Sequence, residues 1–395
     1  MNRTALLPNV VLRVWFLYPL LVPFYFMGKT PIPGTEKVEG GVPQLADYYV
    51  LGIVLLVFGV LQFRLHRSAI PAIAALAGFI LYTAFINLAW ATSLENLSLL
   101  KSTAYYTYDG LLLLTCLILY AHFKDRFLRV TTQAVGTSVV LQAILSPLAP
   151  QQLNSRQALW FNNENQLGYF CVLAATIFVL GARRFSIRLR YQTIFYAALT
   201  YLALLAQSRG ALLGLFALAI VALLGRPLRL LLVLGAAAGV YFVIAVTPPI
   251  LSKAEERYVV QGEYDTLATR GYDRIANYPE YLLFGAGEGV YERFRSELYA
   301  SEIHSSYGTL LFCYGIPGTF LFTLALFSIC RRDPGIALYL IPAFVHGTGH
   351  QGLRFAFFWA MLAFLCCYVA RPETETEPEP VLDNPRTDPQ DRCPR

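Results

Sequence analysis

Long apolar runs broken by short polar connections recur along the whole chain. A bilayer core about 30 Å thick needs about 20 apolar residues of helix to cross it. Runs of this kind fall at 10–27, 45–63, 69–90, 103–123, 127–148 and 165–181 in the first half. The second half supplies 191–206, 210–224, 228–247, 307–329, 335–347 and 353–370. The pattern predicts an all-α polytopic membrane protein with about 12 transmembrane helices. A membrane β-barrel would show short segments of alternating apolar and polar residues, which are absent here. The predicted organisation is helices one to nine over residues 1–247, a long external loop over 248–303, helices ten to twelve over 304–370, and a tail over 371–395.

Composition agrees with lipid as the solvent. Of 395 residues, 14% are charged and 56% hydrophobic, with a mean hydropathy of +0.50, whereas soluble domains carry about 25% charged residues. The net charge of +6 is spread over many short loops and forms no patch for nucleic acid. The first run sits where a signal peptide would, yet it is longer and no small-residue cleavage site follows, which predicts a retained signal anchor. Cys116, Cys171, Cys313, Cys366 and Cys367 fall inside apolar runs, Cys330 at a run's edge and Cys393 in the tail, a pattern of core filler without disulfide or zinc spacing. The Glu-Thr and Glu-Pro run after Arg371 has too little apolar content to order itself, so a disordered tail is expected.

The basic residues predict orientation. With Arg3 in the cytoplasm, the short loops on that side hold thirteen Lys and Arg residues, and the short loops on the other side hold six. The positive-inside rule then puts both termini in the cytoplasm. The long loop from Pro248 to His304 falls outside, with ten acids against six bases.

Four polar clusters interrupt the apolar pattern, all on the predicted external face. Phe161-Asn162-Asn163-Glu164-Asn165-Gln166-Leu167-Gly168 opens the sixth run; part of it reads as a helix cap, but one cap does not require so many hydrogen-bonding residues in succession. Gln207-Ser208-Arg209-Gly210 lies between two apolar runs with almost no loop, and an arginine there either snorkels or faces a polar cavity. Its position against the positive-inside bias favours the cavity. The long loop carries Arg270-Gly271-Tyr272-Asp273-Arg274 and then Phe284-Gly285-Ala286-Gly287-Glu288-Gly289. These glycines lack the preceding strand of a dinucleotide-binding motif, so they read as a turn. Finally, His304-Ser305 precedes the tenth run, with Gly315 and Gly318 further along it, one turn apart and suited to close helix packing. A histidine at the positive end of a helix dipole stays neutral and available as a base. His346 and His350, with Arg354, also fall on this face, but no third metal ligand accompanies them.

Together these residues resemble the O-antigen ligase and O-antigen polymerase superfamily, bacterial inner-membrane enzymes that transfer glycans from a polyprenyl diphosphate carrier. The resemblance runs from about residue 150 to 370 and rests on His304, Ser305, Gly315 and Gly318, on Ser208-Arg209-Gly210, on the Asn-rich helix start from Asn162 through Asn163 and Asn165 to Gly168, and on Arg270 in the long loop. Many relatives have Trp four residues after the loop arginine, where this chain has Arg274, so both Arg270 and Arg274 stand as the family's arginine. The resemblance implies metal-independent, inverting glycosyl transfer without a cofactor, from undecaprenyl diphosphate to an acceptor sugar such as one on lipid A core. It implies that Arg209 with Arg270 or Arg274 binds the diphosphate and that His304 is the base. Polysaccharide polymerisation on the carrier is the alternative within the superfamily. A secondary transporter or lipid flippase would carry more charges at mid-span than Asp109 alone, and a scaffold leaves the one-sided clustering unexplained.

Overall fold

The computed structural model describes residues 6–24, 45–149, 156–223, 267–268, 270–294 and 302–370. Every predicted apolar run on those residues is helical, and there is no strand among them. In chain order these helices are α1 (Leu6–Leu21), α2 (Leu45–Val60), α3 (Ile70–Ser93), α4 (Leu100–Phe123), α5 (Asp125–Leu145), α6 (Glu164–Phe185), α7 (Leu189–Ala206), α8 (Arg209–Leu223), α9 (Tyr314–Cys330), α10 (Ala337–Gly347) and α11 (Ala356–Val369). The predicted run at 228–247, much of the long loop and the tail from Arg371 lie outside the described residues.

Five helical stretches are long and apolar enough to cross a bilayer: Leu7–Phe24, Arg67–Ser93, Leu97–Phe123, Glu164–Phe185 and Ser306–Cys330. The outer surface suits that setting, because Leu55, Leu81, Phe85, Phe216, Phe320 and Phe327 are exposed, a distribution that is costly in water and ordinary in lipid. Helix α6 is the exception, buried almost all round at the centre of the bundle. It packs against α5, α7, α8, α10 and α11.

Two ends of the bundle differ in chemistry. At one end, Arg184 pairs with Asp125 at 2.8 Å and donates to the Tyr368 carbonyl. Arg183 donates to the Tyr339 hydroxyl and Arg126 to Asn9 at 2.7 Å. At the other end lie the N-termini of α6 and α8, the C-terminus of α10 and the described part of the long loop.

The tenth run departs from the continuous helix expected of it. A single turn at Ser306–Gly308 passes into a π-helical stretch, Thr309–Cys313, before α9 begins. Gly315 then adopts φ 61 and ψ −166, and Pro317, lacking an N–H, follows. This break frees carbonyls, and the long loop satisfies two of them: Ala286 N–H donates to Phe312 and Gly287 N–H to Cys313, each at 2.9 Å. The glycine run of the loop is therefore a plug seated in a broken helix. A side chain on Gly285 (φ 99) would sit 2.7 Å from the Tyr314 Cα, so only glycine fits that seat. Gly315 faces the Gly285 backbone in turn, and Gly318 packs toward the Tyr82 ring.

Candidate functional site

The Asn-rich start of α6 divides its labour. Asn163 is the N-cap, accepting from Gln166 N–H at 2.9 Å, while Gln166 reaches back to the Asn162 N–H at 3.2 Å in the manner of a capping box. Asn165 does something else. It accepts from Arg156 at 2.7 Å, and Arg156 also pairs with Glu164 at 3.5 Å and donates to the Ala206 carbonyl at 3.2 Å. Gln157 N–H bonds the Leu205 carbonyl at 3.0 Å. The unpaired carbonyls at the end of α7 are thus taken up by the 156–157 segment, with a cation where the helix dipole favours one.

That capped end sets up α8. Gln207 turns the chain through a left-handed conformation (φ 46, ψ 36), Ser208 follows, and Arg209 is the first residue of α8. Gly168 on α6 lets this corner come close: an added Cβ there would meet Ser208 Cβ and Ala211 Cβ at 2.8 Å. Ser208 is 1% exposed, whereas Arg209 is partly exposed. Gly210 faces both His346 and His350.

The long loop supplies the remaining groups. Arg270 donates through Nη1 to the Gly349 carbonyl, and its own carbonyl accepts from the His304 N–H at 3.0 Å. His304 is exposed. Next to it, Ser305 caps the following turn, accepting from Gly308 N–H at 3.1 Å. The Tyr272 hydroxyl lies 2.5 Å from the Ser305 hydroxyl and donates to the Thr348 carbonyl at 2.8 Å. Ser306 ties the same strand to the segment after α10, donating to the His350 carbonyl at 3.1 Å and accepting from Gly352 N–H at 3.0 Å.

Arg274 stands apart from this group. It is 1% exposed and lies inside the loop, with its guanidinium carbon 5.3 Å from the Tyr291 ring centre. Of the two loop arginines, Arg270 is the one beside His304, Gly349 and the α8 corner.

A second polar cluster underlies the first, and no motif announced it. The Glu288 side chain, 1% exposed, pairs with Arg354 at 3.2 Å. It also accepts from Tyr314 at 2.5 Å, Tyr106 at 3.1 Å and Gln351 at 3.0 Å. Its backbone N–H donates to Asn87 Oδ1 at 2.9 Å. Arg354 bonds Glu302 as well, two residues before His304. Burial alone would lower the Arg354 pKa, but the Glu288 and Glu302 carboxylates reverse this and hold it well above the usual value. Burial does lower that of Arg293, which donates to the Ala286 carbonyl and lies 4.8 Å from the Trp90 ring. The network fixes the plug to α3, α4 and the strand that carries His304.

The structure thus gathers Asn165, Ser208, Arg209, Arg270, His304 and Ser305 at one end of the bundle, with Gly315 and Gly318 shaping the helix below. Sequence reasoning passed over Arg156, Tyr169 and the Glu288 network. Among the described residues, no group of three or more His, Cys, Asp or Glu side chains is arranged to hold a metal ion. In comparisons with known proteins, no family model and no curated sequence matches the chain.

Proposed function

We propose that the protein is a membrane glycosyltransferase of the O-antigen ligase type, moving a glycan from a polyprenyl diphosphate carrier to a sugar hydroxyl on a lipid or glycan acceptor. The observation that carries this reading is the convergence of Arg209, Arg270 and His304. They come from three distant segments and meet at one end of the bundle, Arg270 through its bonds to Gly349 and His304 and Arg209 through the α8 corner that faces His346 and His350.

In this reading the acceptor hydroxyl attacks the anomeric carbon of the donor sugar from the face opposite the diphosphate. The bond from that carbon to the phosphate oxygen breaks, and the configuration inverts. His304 takes the hydroxyl proton, and the electron pair leaves with the polyprenyl diphosphate. Arg209 and Arg270 offer planar, permanently charged forks to the oxygens on which charge builds.

The reading extends to topology: twelve spans in the bacterial inner membrane, both termini cytoplasmic and the site on the periplasmic face. Support comes from the separation of Arg126, Arg183 and Arg184 from the site, since basic residues favour the cytoplasmic end. A site on the outer face meets carrier lipid from the side and the acceptor from above.

The test is transfer by purified protein supplied with a carrier-linked glycan and a lipid acceptor. Arg209→Lys should lose most activity, because a point charge does not replace the fork. Wild-type transfer by Arg209→Lys would sink the assignment. Glycan lengthening on the carrier, with no acceptor labelled, would make the protein a polymerase instead.

A further inference from the structure

His346 lies in the last turn of α10 and is 2% exposed. Its ring is clamped: Tyr169 stacks on it at 4.4 Å between centroids and 13° between planes, and His350 packs beside it at 4.8 Å. Among the described residues neither ring nitrogen makes a hydrogen bond, although the Asn165 backbone and the Arg270 guanidinium are neighbours. A buried polar group without a partner is expensive, so such a ring marks a place where a partner arrives.

The ring edge indicates where. His346 Cδ2 would be 3.4 Å from a Cβ added to Gly210, so Nε2, one bond further on, faces the first turn of α8. Ser208 precedes α8, and its hydroxyl is also buried without a hydrogen bond among the described residues. Two unsatisfied polar groups from different elements therefore meet the unpaired N–H groups of a helix N-terminus, the end that attracts anions.

We infer that His346 is a direct ligand of the anionic substrate, donating a ring N–H to a non-bridging oxygen of a diphosphate ester held at the start of α8. The inference rests on the glycosyltransferase reading for the identity of that ester. A neutral imidazole suits this place. It adds a donor beside Arg209 and Arg270 without adding a third positive charge, and the Tyr169 stack sets its direction beforehand.

The experiment measures binding to purified full-length protein in detergent, with three probes: inorganic pyrophosphate, a polyprenyl diphosphate, and phosphatidylglycerol vesicles. His346→Phe keeps a flat ring for the Tyr169 stack and removes both nitrogens. It should weaken pyrophosphate and polyprenyl diphosphate by about ten- to a hundredfold, and His346→Asn should restore part of the loss. Unchanged binding by His346→Phe overturns the inference. Arg209→Lys, assayed in parallel, then reports separately whether the diphosphate reading survives. Binding of phosphatidylglycerol but neither diphosphate would make the ligand a phospholipid headgroup and overturn both. Should His346→Phe misfold, histidine-selective ¹⁵N labelling of the wild type decides the matter: pyrophosphate must shift the resonance that His346→Asn removes, and no shift overturns the inference.

Discussion

The His304 backbone N–H donates to the Arg270 carbonyl at 3.0 Å, so the candidate base and the candidate diphosphate ligand share one piece of backbone across 34 positions of sequence. Arg270 is held on its other side by the Gly349 carbonyl. Displacing either residue should displace the other. His304→Ala and Arg270→Ala should each lower transfer by about 10² to 10⁴, and the double variant should be little worse than the weaker single one. Steady-state kinetics of the three variants checks this; losses that multiply would show two independent groups.

The Glu288 network predicts an asymmetry between two carboxylates that bind the same arginine. Glu288 is 1% exposed and Glu302 is 36% exposed, with Arg354 between them at 27%. Removing one member of a buried pair costs about 3 to 5 kcal/mol. Arg354 keeps Glu302 and some solvent, so Glu288→Gln should fall near the lower end, about 3 kcal/mol. Glu302→Gln should cost less than about 1 kcal/mol. Chemical unfolding in detergent compares them, and equal costs would mean that the buried charge is not the anchor of the plug.

The helices were legible in the sequence because a bilayer imposes one length and one polarity on every span. The residues of the upper site were legible because Arg209, Arg270 and His304 each break an apolar or loop pattern in a way that lipid or topology does not explain. The Glu288 network was hidden for a physical reason. Its partners, Asn87, Tyr106, Gln351 and Arg354, lie far away in sequence, and Glu288 itself reads as one more acid in an acidic external loop. Equally hidden was the break in the tenth run. Gly315 and Pro317 announce a weak point there, but which chain fills the gap depends on the fold of a loop with no periodicity of its own.

The plug also predicts which glycines tolerate a methyl group. Gly285 has φ 99 and meets the Tyr314 Cα at 2.7 Å from an added Cβ; Gly315 has φ 61 and meets the Gly285 nitrogen at 2.8 Å. Both obstacles are backbone and do not swing away. Gly285→Ala and Gly315→Ala should each cost about 3 kcal/mol, combining overpacking with a left-handed conformation. Gly52 on α2 has nothing within 4 Å of an added Cβ, and Gly52→Ala should be neutral or slightly stabilising. Yield and thermal stability in detergent separate the two outcomes.

Orientation is open to direct chemical test, because the native thiols are well placed for it. Cys116, Cys171, Cys313, Cys366 and Cys367 are buried and Cys330 is partly so, and buried thiols are inert to alkylation. With Cys330 and Cys393 replaced by Ser, a single exposed cysteine reports the side on which it sits. Leu97 lies between α3 and α4 and is 72% exposed; it is at the site's end of the bundle, two residues from Leu99, which faces Gly287 and Gly289. Arg188, also exposed, lies between α6 and α7 at the other end. A membrane-impermeant maleimide applied to spheroplasts should label Leu97→Cys at once and Arg188→Cys only after lysis. The reverse pattern would place Arg209, Arg270 and His304 in the cytoplasm. There a carrier-linked glycan on the outer leaflet would never meet them, and the transferase reading would fall with the topology.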